Sequence, residues 1–95
     1  MSAIKVRLIC SALQTKGFVR EDGRRHTFFY LIVGGRRTGI HTMISLGERE
    51  IGDPLLSQIA RQLKLNTHLF ADLVDCKMTG SDYVRHLRGT GFPLP

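Results

Sequence analysis

The clearest pattern in the chain is an alternation of apolar and polar positions in its middle third. The run HTFFYLIV, residues 26–33, and the run RRTGIHTMIS, residues 36–45, show the two-residue period of β-strands with one buried face. Gly34 and Gly35 separate the two runs, and paired glycines favour a two-residue turn because both can adopt positive φ. The sequence therefore predicts an antiparallel hairpin.

A third, shorter strand is predicted before this hairpin. The segment GFVRE, residues 17–21, is followed by Asp22-Gly23, a pair that is common in two-residue hairpin turns. With the strands at 26–33 and 36–45, this segment completes a three-stranded antiparallel meander.

Helical spacing of apolar residues appears on both sides of the strands. A first helix is predicted over residues 3–15, with Ser2 as its N-cap and Gly17 just past its end. After the strands, Asp53 is the predicted N-cap of a second helix, and Pro54 is its first helical residue.

Two further short helices are predicted near the C-terminus. One begins at a cap provided by Asn66 or Thr67, and the other runs from Ser81 to just before Gly89. The predicted fold class is α+β in the order α-β-β-β-α, with a three-stranded antiparallel sheet covered on one face by helices, plus one or two short C-terminal helices. We expect a single domain over residues 1–89 and a flexible tail over residues 90–95.

Alternation also predicts which side chains share a face of the sheet. With a two-residue turn at Gly34-Gly35, Phe28 is expected opposite His41 and Phe29 opposite Ile40. The more apolar face, which helices should cover, carries Thr27, Phe29, Leu31, Val33, Thr38, Ile40, Thr42 and Ile44. The other face carries His26, Phe28, Tyr30, Ile32, Arg37, His41 and Met43.

The net charge of +6 is concentrated in one part of the chain. Residues 1–37 contain eight Lys and Arg against two Asp and Glu, an excess of 8 − 2 = +6, and the remaining residues are balanced. Such a distribution favours binding of a polyanion, most simply nucleic acid. The predicted RNA-binding residues are Lys5, Lys16, Arg20, Arg24, Arg25, Arg36 and Arg37.

Other features of the composition exclude several classes of protein. The chain has no apolar stretch of membrane-spanning length and no secretory signal pattern, so we expect a cytoplasmic protein without a membrane partner. Cys10 and Cys76 form no CxxC pair, which favours reduced thiols. No metal site or other cofactor is predicted, because paired metal-ligand spacing is lacking among His26, His41, His68 and His86.

The uncovered face has the residue types that metal-independent RNA cleavage needs. An imidazole titrates near neutral pH, so His26 can take the proton of a ribose 2′-hydroxyl or deliver one to the departing 5′-oxygen. Arginines hold the phosphate. His41 is a tentative second catalytic residue because it is expected on the same face. A lone histidine at the start of a strand is equally compatible with a purely structural role.

The order of these motifs resembles the HicA-type toxins of bacterial type II toxin-antitoxin systems. The resemblance spans about residues 2–87 and is carried by KGF, HTFFY, T-M-I-S-L-G and IGDPLLSQIARQLKL. It implies a fold like the double-stranded RNA-binding domain, an mRNA interferase activity with His26 as the strand histidine, and neutralisation by a HicB-type antitoxin. Arg24 and Arg25 stand where members usually have a small Gly-Ser or Gly-Thr pair, and Leu46 where longer members have histidine.

The sequence thus predicts an endoribonuclease that cleaves mRNA without metal. The alternative is a non-catalytic module of the same fold that binds double-stranded RNA by shape and phosphate contact. Another alternative is a module that binds a protein partner through Phe28, Tyr30 and Ile32.

Overall fold

The computed structural model describes residues 3–45 and 47–95, and it has the predicted α+β class. Ser2, the predicted cap, and Leu46, the departure from the toxin pattern, lie outside the described residues. The elements in chain order are β1 (Ile4–Lys5), α1 (Val6–Thr15), β2 (Phe18–Asp22), β3 (His26–Val33), β4 (Arg36–Ser45), β5 (Glu50–Ile51), α2 (Asp53–Gln62), α3 (Thr67–Val74) and α4 (Gly80–Gly89).

Three of the strands form the predicted antiparallel meander, in the order β2-β3-β4. Strands β3 and β4 have the predicted bounds. Gly34 and Gly35 join them with φ of 59° and 76°, which a residue with a Cβ adopts only at a cost. The predicted glycine turn is therefore confirmed.

The turn between β2 and β3 differs from the prediction. Asp22 pairs with Thr27, and the backbone N–H of Gly23 donates to the carbonyl of His26 at 2.8 Å. The tip of the hairpin is therefore Arg24-Arg25, and the predicted turn at Asp22-Gly23 is wrong.

A side-chain cluster explains why β2 continues through Asp22. The carboxylate of Asp22 accepts a hydrogen bond from Arg20 Nε at 2.8 Å and another from Thr27 Oγ1 at 3.1 Å. Because Thr27 is completely buried, its hydroxyl needs such a partner. These two bonds hold Asp22 in the strand.

The register between β3 and β4 changes partway along the strands. Near the glycines, Ile32 pairs with Arg37 as predicted, but farther away Tyr30 pairs with His41 and Phe28 with Met43. Leu31 thus lies opposite three residues of β4. The predicted pairings of Phe28 with His41 and of Phe29 with Ile40 are therefore wrong, and Phe29 pairs with Thr42. Because the shift is by two residues, every side chain keeps its predicted face.

The hydroxyl group of Thr38 forms hydrogen bonds to backbone groups at this register shift. Thr38 Oγ1 donates to the carbonyl of Leu31 at 2.9 Å and accepts from the N–H of Ile40 at 3.1 Å. These are the backbone groups that an undisturbed ladder would pair, so the hydroxyl replaces ladder bonds that the shift removes.

The inward face of the sheet forms one side of the hydrophobic core. Phe29 and Leu31 are fully buried, and Ile40 and Ile44 are 1% exposed, as the alternation predicts. Thr42 Oγ1 on this face donates to Gln62 Oε1 of α2 at 2.6 Å. The helices contribute the other side of the core with Ile9, Leu13, Leu56, Ile59, Leu63, Phe70, Leu73, Tyr83 and Leu87.

Helix α1 begins three residues later than predicted, at Val6. Ile4 and Lys5 form the short strand β1, which pairs antiparallel with Ile51 and Glu50 of β5. Pairing fixes both residues in an extended conformation, so the helix can start only after them. Its predicted C-terminal stop is confirmed, since Gly17 has φ of 100°.

The caps of the remaining helices lie within one or two residues of the predicted positions. Gly52, and not Asp53, is the N-cap of α2. The cap of α3 is Asn66, whose side chain accepts from the N–H of Leu69 at 2.8 Å, so this prediction is confirmed. Helix α4 is capped by Thr79 in a reciprocal capping box and begins before Ser81.

The last residues of the chain run back along the core. Phe92 and Leu94 are partly buried against it, and Arg88 Nη2 donates to the carbonyl of Pro95 at 3.3 Å. The flexibility of residues 90–95 stays a prediction. Within residues 3–45 and 47–95, no helix is both long and apolar enough to cross a membrane.

Replacing Thr38 with Val should destabilise the domain by about 1 kcal/mol or more. The substitution keeps the shape of the side chain but leaves the Leu31 carbonyl and the Ile40 N–H without their partner. The measurement is urea denaturation, with Thr67→Val as the matched control because the Thr67 hydroxyl makes no hydrogen bond to another described residue. Equal stability of Thr38→Val and wild type would contradict this role.

Candidate functional site

The face of the β2-β3-β4 sheet that points away from the helices is the candidate functional site, and we call it the open face. Pairing across the three strands places ten side-chain positions on it. They are Val19, Glu21, His26, Phe28, Tyr30, Ile32, Arg37, His41, Met43 and Ser45.

The open face exposes apolar surface to solvent. Val19 is 48% exposed and Met43 is 44% exposed, whereas Phe29 and Leu31 on the inward face are fully buried. Phe28 and Tyr30 are partly exposed. Contiguous exposed apolar and aromatic side chains of this kind are typical of interaction surfaces.

An aromatic row runs across the middle of the open face. The ring centroids of Phe28 and Tyr30 lie 6.4 Å apart with 21° between the ring planes. The rings of Tyr30 and His41 lie 5.8 Å apart with 27° between the planes. Near-parallel rings on a rigid sheet form a preorganised surface on which other flat groups can stack.

The side chain of Arg37 on β4 extends across this row to Glu21 on β2. Its guanidinium carbon lies 3.9 Å from the centroid of the Tyr30 ring, and its Nη2 lies 3.2 Å from Glu21 Oε2. Both members of the ion pair are more than half exposed, so the pair contributes little to stability. The guanidinium is held over Tyr30 mainly by the ring and by Glu21.

His26 lies at the end of the open face next to the Arg24-Arg25 tip. Its ring is partly exposed, and no hydrogen bond or ion pair joins that ring to another described residue. Gly23, which directly follows β2, lies opposite His26, and an added Cβ at Gly23 would lie 3.1 Å from the His26 carbonyl oxygen. Ser45 is the direct partner of His26 on β4. The absence of a side chain at Gly23 thus allows the two backbone segments to approach closely next to the partly exposed His26.

The two histidines share the open face but do not converge. His41 pairs with Tyr30, four residues along β3 from His26, which corresponds to about 14 Å of strand. The predicted register would have put them two residues apart, or about 7 Å. The ring of His41 is also fixed against Tyr30, and its Nδ1 lies 3.2 Å from the carbonyl of Gly39. The role of His41 as a second catalytic residue stays a prediction, and His41 lies two residues farther from His26 along β3 than the predicted register places it.

The predicted RNA-binding residues fall into separate groups. Arg24 and Arg25 are exposed beside His26, whereas Arg36 is exposed at the opposite end of the sheet. Lys16 is only 8% exposed, so it lies apart from the exposed basic surface. Arg37 is on the open face, as described above.

Lys5 and Arg20 line a groove beside α1, apart from the ten open-face positions. Arg7, Arg49, Glu48 and Glu50 also line this groove, so its cations are partly offset by two acids. Cys10 lies at its wall, and burial raises the pKa of that thiol. Within the part of the chain that the structure describes, no group of three or more His, Cys, Asp or Glu side chains could hold a metal ion.

Sequence reasoning missed four contributions to the site. Gly23 and Ser45 flank His26 only because the β2-β3 turn is at the arginines and because the β3-β4 register shifts. Glu21 reaches Arg37 across β3, which no local pattern indicates. Thr38 stabilises the shift in the β3-β4 register, and a threonine in a strand gives no sequence signal of such a role.

Comparison with protein-family models, with curated proteins and with solved structures found no match for this chain. The resemblance to HicA-type toxins therefore rests on the sequence motifs alone.

Asp22 should make folding stability depend on pH. Hydrogen bonds from Arg20 and then from Thr27 lower the pKa of its carboxyl group. The ionised group thus adds stability above the ordinary Asp value of about 4, and this stability is lost as the pH falls through the lower folded pKa. Asp22→Asn should be less stable than wild type at neutral pH and should converge with it in acid.

Urea denaturation at several pH values from about 7 to about 2.5 measures this difference. Arg20→Ala removes the largest cause of the shift and should reproduce part of the convergence. Parallel stability curves for wild type and Asp22→Asn would contradict the role assigned to this carboxylate.

Proposed function

We propose that the protein is an endoribonuclease that cleaves RNA with His26 as the proton-transfer residue and without a metal ion. The main observation behind this proposal is the position of His26. Its accessible imidazole lies between the open face and the basic Arg24-Arg25 tip. The resemblance of the sequence motifs to HicA-type toxins agrees with this assignment.

The proposed reaction is an internal transfer at phosphorus. His26 takes the proton from a ribose 2′-hydroxyl as the 2′-oxygen attacks the adjacent phosphorus. The bond to the 5′-oxygen breaks, and that oxygen takes a proton from solvent. The products are a 2′,3′-cyclic phosphate and a 5′-hydroxyl end.

The surroundings of His26 support this role in two ways. No ion pair joins Arg24 or Arg25 to another described residue, so both guanidinium groups are available to a phosphate. The side chain of His26 is partly exposed, and its direct partner on β4, Ser45, has a short side chain. A phosphate held by the tip arginines would thus lie next to His26.

The proposal includes a HicB-type antitoxin as the neutralising partner, as the resemblance implies. Such a partner would block cleavage by covering His26 and the hairpin tip. The exposed Val19 and Met43 on the same face are suited to a protein interface.

The test is cleavage of a mixed-sequence RNA in excess EDTA by wild type and by His26→Ala. The variant should cut roughly a hundredfold more slowly or worse, because a general acid or base contributes about 10²–10⁴ in rate. His68→Ala is the matched control, since His68 is an exposed histidine on α3 paired with Asp72. It should cut at the wild-type rate.

Analysis of the product ends completes this experiment. Cyclic phosphate and 5′-hydroxyl ends are expected. Wild type that binds RNA but leaves it uncut in EDTA and in Mg²⁺ would favour the non-catalytic RNA-binding module. Equal rates for wild type and His26→Ala would remove His26 from the mechanism.

A further inference from the structure

We infer that the open face is a stacking platform for unpaired bases, so that the RNA bound by this protein is single-stranded. The inference rests on the proposed function, since it takes RNA as the ligand and names its class. It assigns roles to Phe28, Tyr30, His41, Arg37 and Glu21, none of which takes part in the proposed proton transfer.

The aromatic row has the chemistry that base stacking requires. Phe28, Tyr30 and His41 are held near-parallel at 6.4 Å and 5.8 Å on a rigid sheet, and all three are accessible to solvent. Proteins that bind single strands without sequence preference combine such rings with a basic track for the backbone. A core role does not account for these rings, because the core lies on the opposite face.

The charges around the row complement a nucleic acid backbone. Arg24 and Arg25 extend from one end of the open face, and Arg36 lies at the other end. Glu21 is the one acidic side chain among the ten positions, and Arg37 neutralises it at 3.2 Å. An RNA strand running along β3 would therefore meet positive charge at both ends of the face.

Arg37 occupies the position of a ligand in this structure. Its guanidinium is a flat cation 3.9 Å from the centroid of Tyr30, where a base would stack. Because Glu21 holds it there through an exposed pair, the guanidinium can turn to a phosphate at little cost. Glu21 thus competes with RNA for Arg37.

Paired bases do not fit this surface. In an RNA duplex the base faces are stacked inside the helix, so recognition depends on phosphates, 2′-hydroxyls and overall shape. The bases of a duplex therefore cannot stack on the aromatic row. Phe28 is two residues from His26, about 7 Å along the strand, so a base on Phe28 would place a neighbouring phosphate near the imidazole.

The first test compares binding of a single-stranded oligonucleotide with that of a blunt duplex of the same length. Both are unmodified RNA, because duplex recognition uses 2′-hydroxyls, and the proteins compared here and in the row variants below also carry His26→Ala so that the RNA stays intact. Fluorescence anisotropy should show that the single strand binds at least tenfold more tightly than the duplex.

Variants of the aromatic row test whether its rings cause the preference for single-stranded RNA. Phe28→Leu and Tyr30→Leu should each weaken single-strand binding by roughly fivefold to a hundredfold, the effect of losing one base stack. Tyr30→Phe keeps the ring and should bind within about twofold of wild type. Leu55→Met is the control, because Leu55 is an exposed apolar residue of α2, away from the open face. Glu21→Gln should bind severalfold more tightly, since it releases Arg37.

A spectroscopic readout detects stacking without relying on variants of the row. The chain has no Trp and two Tyr, and Tyr83 is fully buried. In Tyr83→Phe the remaining emission comes from Tyr30, and stacking of a base on its ring should quench that emission on addition of the single strand.

The outcomes separate this inference from the proposed function. Duplex binding as tight as single-strand binding, or ring-removing variants that fold and bind like Leu55→Met, would overturn the platform while His26-dependent cleavage still stands. Unchanged Tyr30 emission at saturating single strand would overturn it too. If neither RNA binds, the inference and the proposed function both fall.

Discussion

The pairing of β3 with β4 determines what the open face contains. Strand β3 is the central strand, so burial of Phe29 and Leu31 on one side directs His26, Phe28 and Tyr30 to the other. The two-residue shift beside Thr38 keeps this sorting intact but moves His41 from Phe28 to Tyr30. The hydroxyl of Thr38 thus helps to separate one histidine at the basic tip from another in the aromatic row.

This separation gives the two ends of the face different chemistry. His26 is accessible and adjacent to Arg24 and Arg25, an arrangement suited to proton transfer beside a phosphate. His41 is stacked on Tyr30, an arrangement suited to holding a flat group. Under the proposed function, electrostatic attraction to the arginines brings RNA of any form to the protein, and the rings select unpaired bases.

The sequence correctly predicted the structural elements that depend only on residues close together in the chain. The alternation of residues 26–33, the glycine turn and the Asn66 cap each follow from neighbouring residues. The pairing of β1 with β5 depends on residues far apart in sequence, and the Arg24-Arg25 turn depends on hydrogen bonds to Asp22. The sequence could predict which face of the sheet each side chain of β3 and β4 occupies. It could not predict how far apart His26 and His41 lie, because a register shift of two residues leaves the alternation of faces unchanged.

The most direct test of the open face as the RNA-binding surface is an NMR titration of ¹³C,¹⁵N-labelled protein with a single-stranded 2′-O-methyl oligonucleotide. The largest shift changes should fall on the amides of β3 and the hairpin tip and on the rings of His26, Phe28 and Tyr30. If the largest changes fall instead along the α1 groove, at Lys5 and Arg7, with the rings of the open face unaffected, this account is contradicted.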